Sequence, residues 1–79
     1  MSTVETVIHI LENCLGKGAK GKVQPEDSLF DDLKIDGDSF DEFLAELEDH
    51  FEIIFEEDDI DTFDTANDIV AFIENHQKR

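Results

Sequence analysis

Apolar residues recur along the chain in three runs spaced like helix faces. Val4, Val7, Ile8, Leu11 and Leu15 fall at i, i+3, i+4, i+7 and i+11, which is one face of an α-helix. Phe40, Phe43, Leu44, Leu47 and Phe51 repeat that spacing. Ala66, Ile69, Val70 and Ile73 make a shorter third stripe. Each run opens on a capping signal. Ser2 with Glu5 and Ser39 with Glu42 are S-x-x-E capping boxes, and Thr65 with Asp68 is a close relative. Gly16 and Gly18 end the first helix.

Between the first two runs the pattern lapses. Residues 16–38 hold all four glycines and the only proline, so they read as a long loop. Pro25 to Phe30 is expected to form one short turn, with Leu29, Phe30 and Leu33 pinning the loop to the core. A loop of this length is uncommon in a compact domain and is often functional. Further on, Ile60 and Phe63 anchor a short helical turn within 56-EEDDIDTFD-64. The predicted fold is all-α: a small bundle of three main helices plus a short fourth, with a long loop between the first and second helices. It is read as a single domain over residues 1–79.

Composition narrows the class. At 79 residues and 39% hydrophobic content, one small core is affordable. Cys14 is the only cysteine, so no internal disulfide forms, and no Cys/His set has zinc spacing. A lone thiol suits a reducing, cytoplasmic setting. The N-terminus, MSTVETVIHI, lacks the basic n-region and long apolar run of a signal peptide. No stretch approaches the roughly 18 apolar residues that span a bilayer.

Charge adds more. There are 22 acidic residues against 6 basic, a formal net charge of −16. The basic residues are Lys17, Lys20, Lys22, Lys34, Lys78 and Arg79, and from Ile35 to Gln77 there is no Lys or Arg among 16 Asp and Glu. Such a surface repels nucleic acid and anionic membranes and steers the chain towards basic partners.

Few side chains point to chemistry. The segment 32-DLKIDGDSFDEF-43 superficially resembles a calcium loop, but Lys34 stands at the third position and Phe43 at the twelfth, where oxygen ligands belong. No resident metal site is expected. His9, His50 and His76 are scattered, and nothing places one beside a nucleophile. Cys14 precedes the apolar Leu15, and core or boundary packing explains it. The carboxylates carry no pairing signal for acid–base work, and no enzyme is read here. Ser39 opens the second helix as a capping-box serine, which by itself needs no further role.

The order of the motifs adds a second reading. Leu15-Gly16 closes the first helix, Pro25-Glu26-Asp27-Ser28-Leu29 lies in the loop, and Asp32-Leu33 precedes Asp38-Ser39-Phe40. Leu47-Glu48-Asp49-His50-Phe51 ends the second helix, and Thr65-Ala66-Asn67-Asp68-Ile69 lies within Phe63 to Ile73. In this order the chain resembles an acyl carrier protein over nearly its whole length. The family's motif is Asp-Ser-Leu, whose serine accepts a 4′-phosphopantetheine from coenzyme A through a phosphopantetheinyl transferase. The thiol of that arm carries an acyl group as a thioester. The resemblance places the attachment on Ser39, flanked by Asp38 and Phe40. Partner enzymes with basic patches would read an acidic second helix presenting Asp41, Glu42, Glu46, Glu48 and Asp49. A serine at a helix N-terminus suits an anionic phosphodiester, because free N–H groups and the dipole stabilise the charge. Gly37 would let the backbone turn there and admit the transferase.

Two departures from the family are visible. Phe40 replaces the usual Leu, a change tolerated in specialised carriers such as D-alanyl carriers. Laid without gaps on Asp32-Leu33, the family's Asp-Leu-Gly-x-Asp-Ser-Leu brings Gly37 to the serine position, so Ser39 falls two residues late. Either the loop is longer and the helix starts later, or the chain is carrier-like without an attachment site. The intact Asp-Ser-Phe and the capping box at Ser39 favour the first. The resemblance implies a discrete, monomeric, cytoplasmic carrier for fatty-acid, lipid or polyketide-type assembly, with no nucleic-acid partner and no membrane insertion. The alternative is an unmodified acidic interaction module that binds basic protein partners.

Overall fold

The computed structural model describes residues 2–16, 18 and 21–77. Lys17, Lys20, Lys78 and Arg79, counted above among the basic residues, lie outside them. Four helices follow one another: α1 (Thr3–Leu15), α2 (Gly37–Phe51), α3 (Glu57–Ile60) and α4 (Ala66–Gln77). This is the all-α arrangement expected, with three long helices, one single turn and the long first loop.

α1 begins where its capping box predicts. Ser2 Oγ accepts from Glu5 N–H, and Ser2 N–H donates back to Glu5 Oε1, both at 3.2 Å. It ends at Gly16, whose φ of 102° lies in the region that glycine tolerates. α4 is capped as expected too. Asp68 N–H donates to Thr65 Oγ1, and the Asp68 carboxylate accepts from the N–H groups of Thr65 and Asp64.

α1 packs against both α2 and α4. Val7 and Leu11 face Phe40, Phe43, Leu44 and Leu47 of α2 and Ala66, Ile69, Val70 and Ile73 of α4 in one buried cluster. Burying each large side chain contributes about 1.5–3 kcal/mol, so this cluster dominates the fold. Under α3, Phe55, Phe63 and Phe72 form an aromatic trio with centroids 5.3–5.7 Å apart. Phe63 anchors that turn as expected and is buried, while Ile60 is half-buried.

The loop is tied to the start of α4. Leu29 N–H donates to Asp64 O at 2.7 Å, and Asn67 N–H donates to Pro25 O at 2.9 Å. Ser28 Oγ donates to Asp64 Oδ1 across 36 residues of sequence. Leu29 is fully buried, as expected, and Leu33 half-buried. Phe30 corrects its expectation: it is 45% exposed, with an edge-to-face contact to Phe40 at 5.1 Å. Val23 and Ile35 do the pinning instead, each 6% exposed.

Candidate functional site

The start of α2 differs from the expected one. The helix begins at Gly37, and its N-cap is Asp36, not Ser39. Asp36 Oδ1 accepts the Ser39 N–H at 2.7 Å, and Asp36 O accepts from Phe40 at 2.9 Å. Asp and Ser cap about equally well, so the flanking residues decide between them. With Asp36 as cap, Ile35 and Phe40 take the two positions of a hydrophobic staple, and both are buried. The turn into the helix passes through Lys34, held at φ 54°. Lys34 stands where the family's gapless frame has its glycine, a residue suited to that conformation. The backbone therefore follows the gapless frame, and the longer loop with a later helix start is not what the chain adopts. Gly37 is an ordinary helical residue without a positive φ, so its special freedom is not used.

Ser39 thus sits in the first turn, third in the helix, half-buried beside its exposed neighbour Asp38. The three serines differ in their bonds. Ser2 Oγ caps α1, and Ser28 Oγ bonds Asp31 N–H and Asp64. Ser39 Oγ has no hydrogen bond among the described residues, and only its N–H is engaged. Ser39 borders a groove of about 540 Å³ between the end of α1, the loop and α2, whose walls include Cys14, Leu15, Lys22, Val23 and Lys34. Phe40, next in sequence, points the other way into the core, 8% exposed. Its role here is packing.

The acidic residues of α2 divide by exposure. Asp41, Glu42, Glu46 and Asp49 are exposed. Glu48 is half-buried, and its Oε2 accepts the Phe55 N–H at 2.8 Å. It fastens the chain after α2, whose C-cap Glu52 turns left-handed at φ 58°. Glu42 and Glu46 flank Cys14 across a smaller recess between α1 and α2. Burial raises the Cys14 thiol pKa, and the charges of Glu42 and Glu46 raise it further. The thiol stays protonated and unreactive at neutral pH. His9, His50 and His76 are all exposed, and His76 stacks on Phe72 at 4.0 Å.

Lys22 and Lys34 line this groove with Ser39, a neighbourhood that the crowding of basic residues into the loop does not by itself predict.

The family described as "Phosphopantetheine attachment site" matches residues 5–73. An "Acyl carrier protein homolog" of Mycoplasmopsis pulmonis is 34% identical over 64 residues, 81% of this chain and 86% of that protein. An "Acyl carrier protein" of an Exiguobacterium species is 38% identical over 60 residues, 76% of this chain and 75% of that protein.

Proposed function

The chain belongs to the phosphopantetheine attachment-site family of acyl carrier proteins, and we propose that it bears its arm on Ser39. Its cofactor is a covalent 4′-phosphopantetheine, and it is a carrier of acyl groups, not an enzyme. The observation that carries the assignment is the free hydroxyl. Among the described residues, the hydroxyls of Ser2 and Ser28 are committed to structural hydrogen bonds and that of Ser39 is not.

The surroundings fit the group. Ser39 is half-buried and lines the groove, and the first-turn N–H groups of Gly37 and Asp38 have no acceptor within the helix. They face the end where an anionic phosphodiester would stand. The arm supplies a thiol that holds the acyl group as a thioester. The chain's own residues present it: Asp36 fixes the helix start, Phe40 anchors that turn in the core, and Ser39 projects between them.

The exposed carboxylates Asp38, Asp41, Glu42, Glu46 and Asp49 offer a surface for the transferase and for acyl-handling enzymes with basic patches. Charge complementarity of this kind raises encounter rate and sets orientation more than it adds affinity. That suits a monomeric shuttle in the cytoplasm that must release each partner. The pathways it would serve are fatty-acid, lipid or polyketide-type assembly.

The test is co-expression with a broad-specificity phosphopantetheinyl transferase, followed by intact-mass measurement. A single phosphopantetheine adduct, absent in Ser39→Ala, is the expected result. An unmodified mass would overturn the reading. Gly37 in the frame's serine position then favours the acidic interaction module instead.

A further inference from the structure

The groove beside Ser39 gathers the cationic side chains of the described residues, next to three carboxylates that leave it net negative. Among the described residues, Lys22 and Lys34 are the only Lys or Arg, and both line it. Three carboxylates line it as well: Asp27, Asp32 and Asp36. Each is already engaged by a backbone amide. Gln24 N–H donates to Asp27 at 3.1 Å, Ser28 N–H to Asp32 at 2.9 Å, and Ser39 N–H to Asp36 at 2.7 Å. Those bonds hold the loop and the helix start. Lys34 Nζ donates to Asp31 O at 3.3 Å, which uses one of its three donors.

Helix geometry aims Ser39 at this side. An α-helix turns about 100° per residue, so Ser39 stands about 200° round from Gly37. Glu48, eleven residues on from Gly37, lies within about 20° of it, and Glu48 binds the chain leading to α3. Glu46, seven residues on from Ser39, lies within about 20° of it, and Glu46 lines a recess with Cys14 of α1. A group on residue 37 leaves the helix towards α3. A group on residue 39 leaves it towards α1 and the loop.

Resting on the Ser39 assignment, we propose that the phosphopantetheine arm folds back into this groove, its phosphodiester paired with Lys22 and Lys34 and its pantetheine lying along Leu15 and Val23. The groove, at about 540 Å³, falls within the ~300–1,000 Å³ of small-molecule sites. Charge-assisted hydrogen bonds from two ammonium groups match an anionic diester. The lysines also offset the acidic surroundings that would otherwise repel it. Held this way, the arm rests on the α1 side, away from the α3 side.

The test is NMR on isotope-labelled holo protein against the apo form, with intact mass measured on the same samples. Expected are amide shift changes at Leu15, Lys22, Val23 and Lys34, besides those around Ser39. Cross-relaxation from pantetheine protons to the Leu15 and Val23 methyls is expected as well. Both weaken with added salt and vanish in a holo Lys22→Gln/Lys34→Gln variant whose apo amide spectrum shows an intact fold. Contacts that survive in the double variant overturn the lysine pairing. Changes confined to residues 37–41 in a protein whose mass carries the adduct overturn the groove inference alone. A protein without the adduct overturns the Ser39 assignment and this inference with it.

Discussion

The Asp36 carboxylate accepts the Ser39 amide at 2.7 Å, so the residue proposed to carry the arm is bonded through its backbone to the cap of its own helix. Removing that cap should weaken the first turn of α2. Asp36→Ala is expected to cost about 1 kcal/mol, the usual value for a lost side-chain cap. Asp36→Asn should retain most of it. Urea denaturation of the apo proteins measures both, and equal losses in the two variants would remove the cap from the account.

The attachment point should be movable by two residues. A Cβ built at Gly37 meets nothing within 4 Å, and its φ is not positive. Gly37→Ser therefore fits without strain. Combined with Ser39→Ala, it restores the family's frame on an unchanged backbone. The transferase is expected to load the double variant at residue 37, read by intact mass and peptide mapping. A double variant that folds and stays unmodified would show that the local frame does not govern recognition.

Cys14 should report on the α1–α2 boundary through pH. Burial first, then Glu42 and Glu46, raise its thiol pKa. The folded state therefore holds the proton more tightly than the unfolded chain. Its contribution to stability is complete below the ordinary thiol pKa of about 8.5 and is lost as pH rises from there through the raised folded value. Melting temperature should fall on that alkaline side, and less steeply in Cys14→Ala. Parallel pH profiles for the two proteins would contradict this. Glu46→Gln should also speed thiol alkylation at fixed alkaline pH, by lowering the thiol pKa.

The aromatic trio is expected to be the most sensitive spot outside the main helices. Phe55 is 6% exposed and meets Phe63 and Phe72 at 5.3 Å each. Phe55→Ala should cost about 3–5 kcal/mol, a large share of the ~5–15 kcal/mol that holds a typical domain. Phe55→Leu keeps most of the apolar volume and should lose much less. Thermal denaturation by circular dichroism compares them, and a mild loss in the alanine variant would mean the site collapses around the gap.

Much of this architecture is legible from periodicity, and the misses share a cause. The three apolar stripes give three helices because residues spaced i, i+3 and i+4 meet on one face whatever lies elsewhere. Capping boxes at Ser2 and at Thr65 are local and form as read. The box at Ser39 fails because Asp36, three residues earlier, is an equal cap, and Ile35 then pairs with Phe40 in the core. Val23 and Ile35 are buried without periodic neighbours to signal it. Glu48 reads as surface by its spacing, yet the left-handed turn at Glu52 brings the Phe55 amide to its carboxylate. The groove beside Ser39 joins α1, the loop and α2, and contacts between distant segments leave no local pattern.

The bonds that tie Pro25, Ser28 and Leu29 to Asp64 and Asn67 also bear on how the chain gets there. They link segments far apart in sequence, so the seat of the loop depends on α4. Closing such a connection costs chain entropy before any contact rewards it. The side of the Ser39 groove formed by the loop is then held in part from the far end of the chain. A chain ending before Asp64 lacks the partners of those bonds, and that wall loses its fastening.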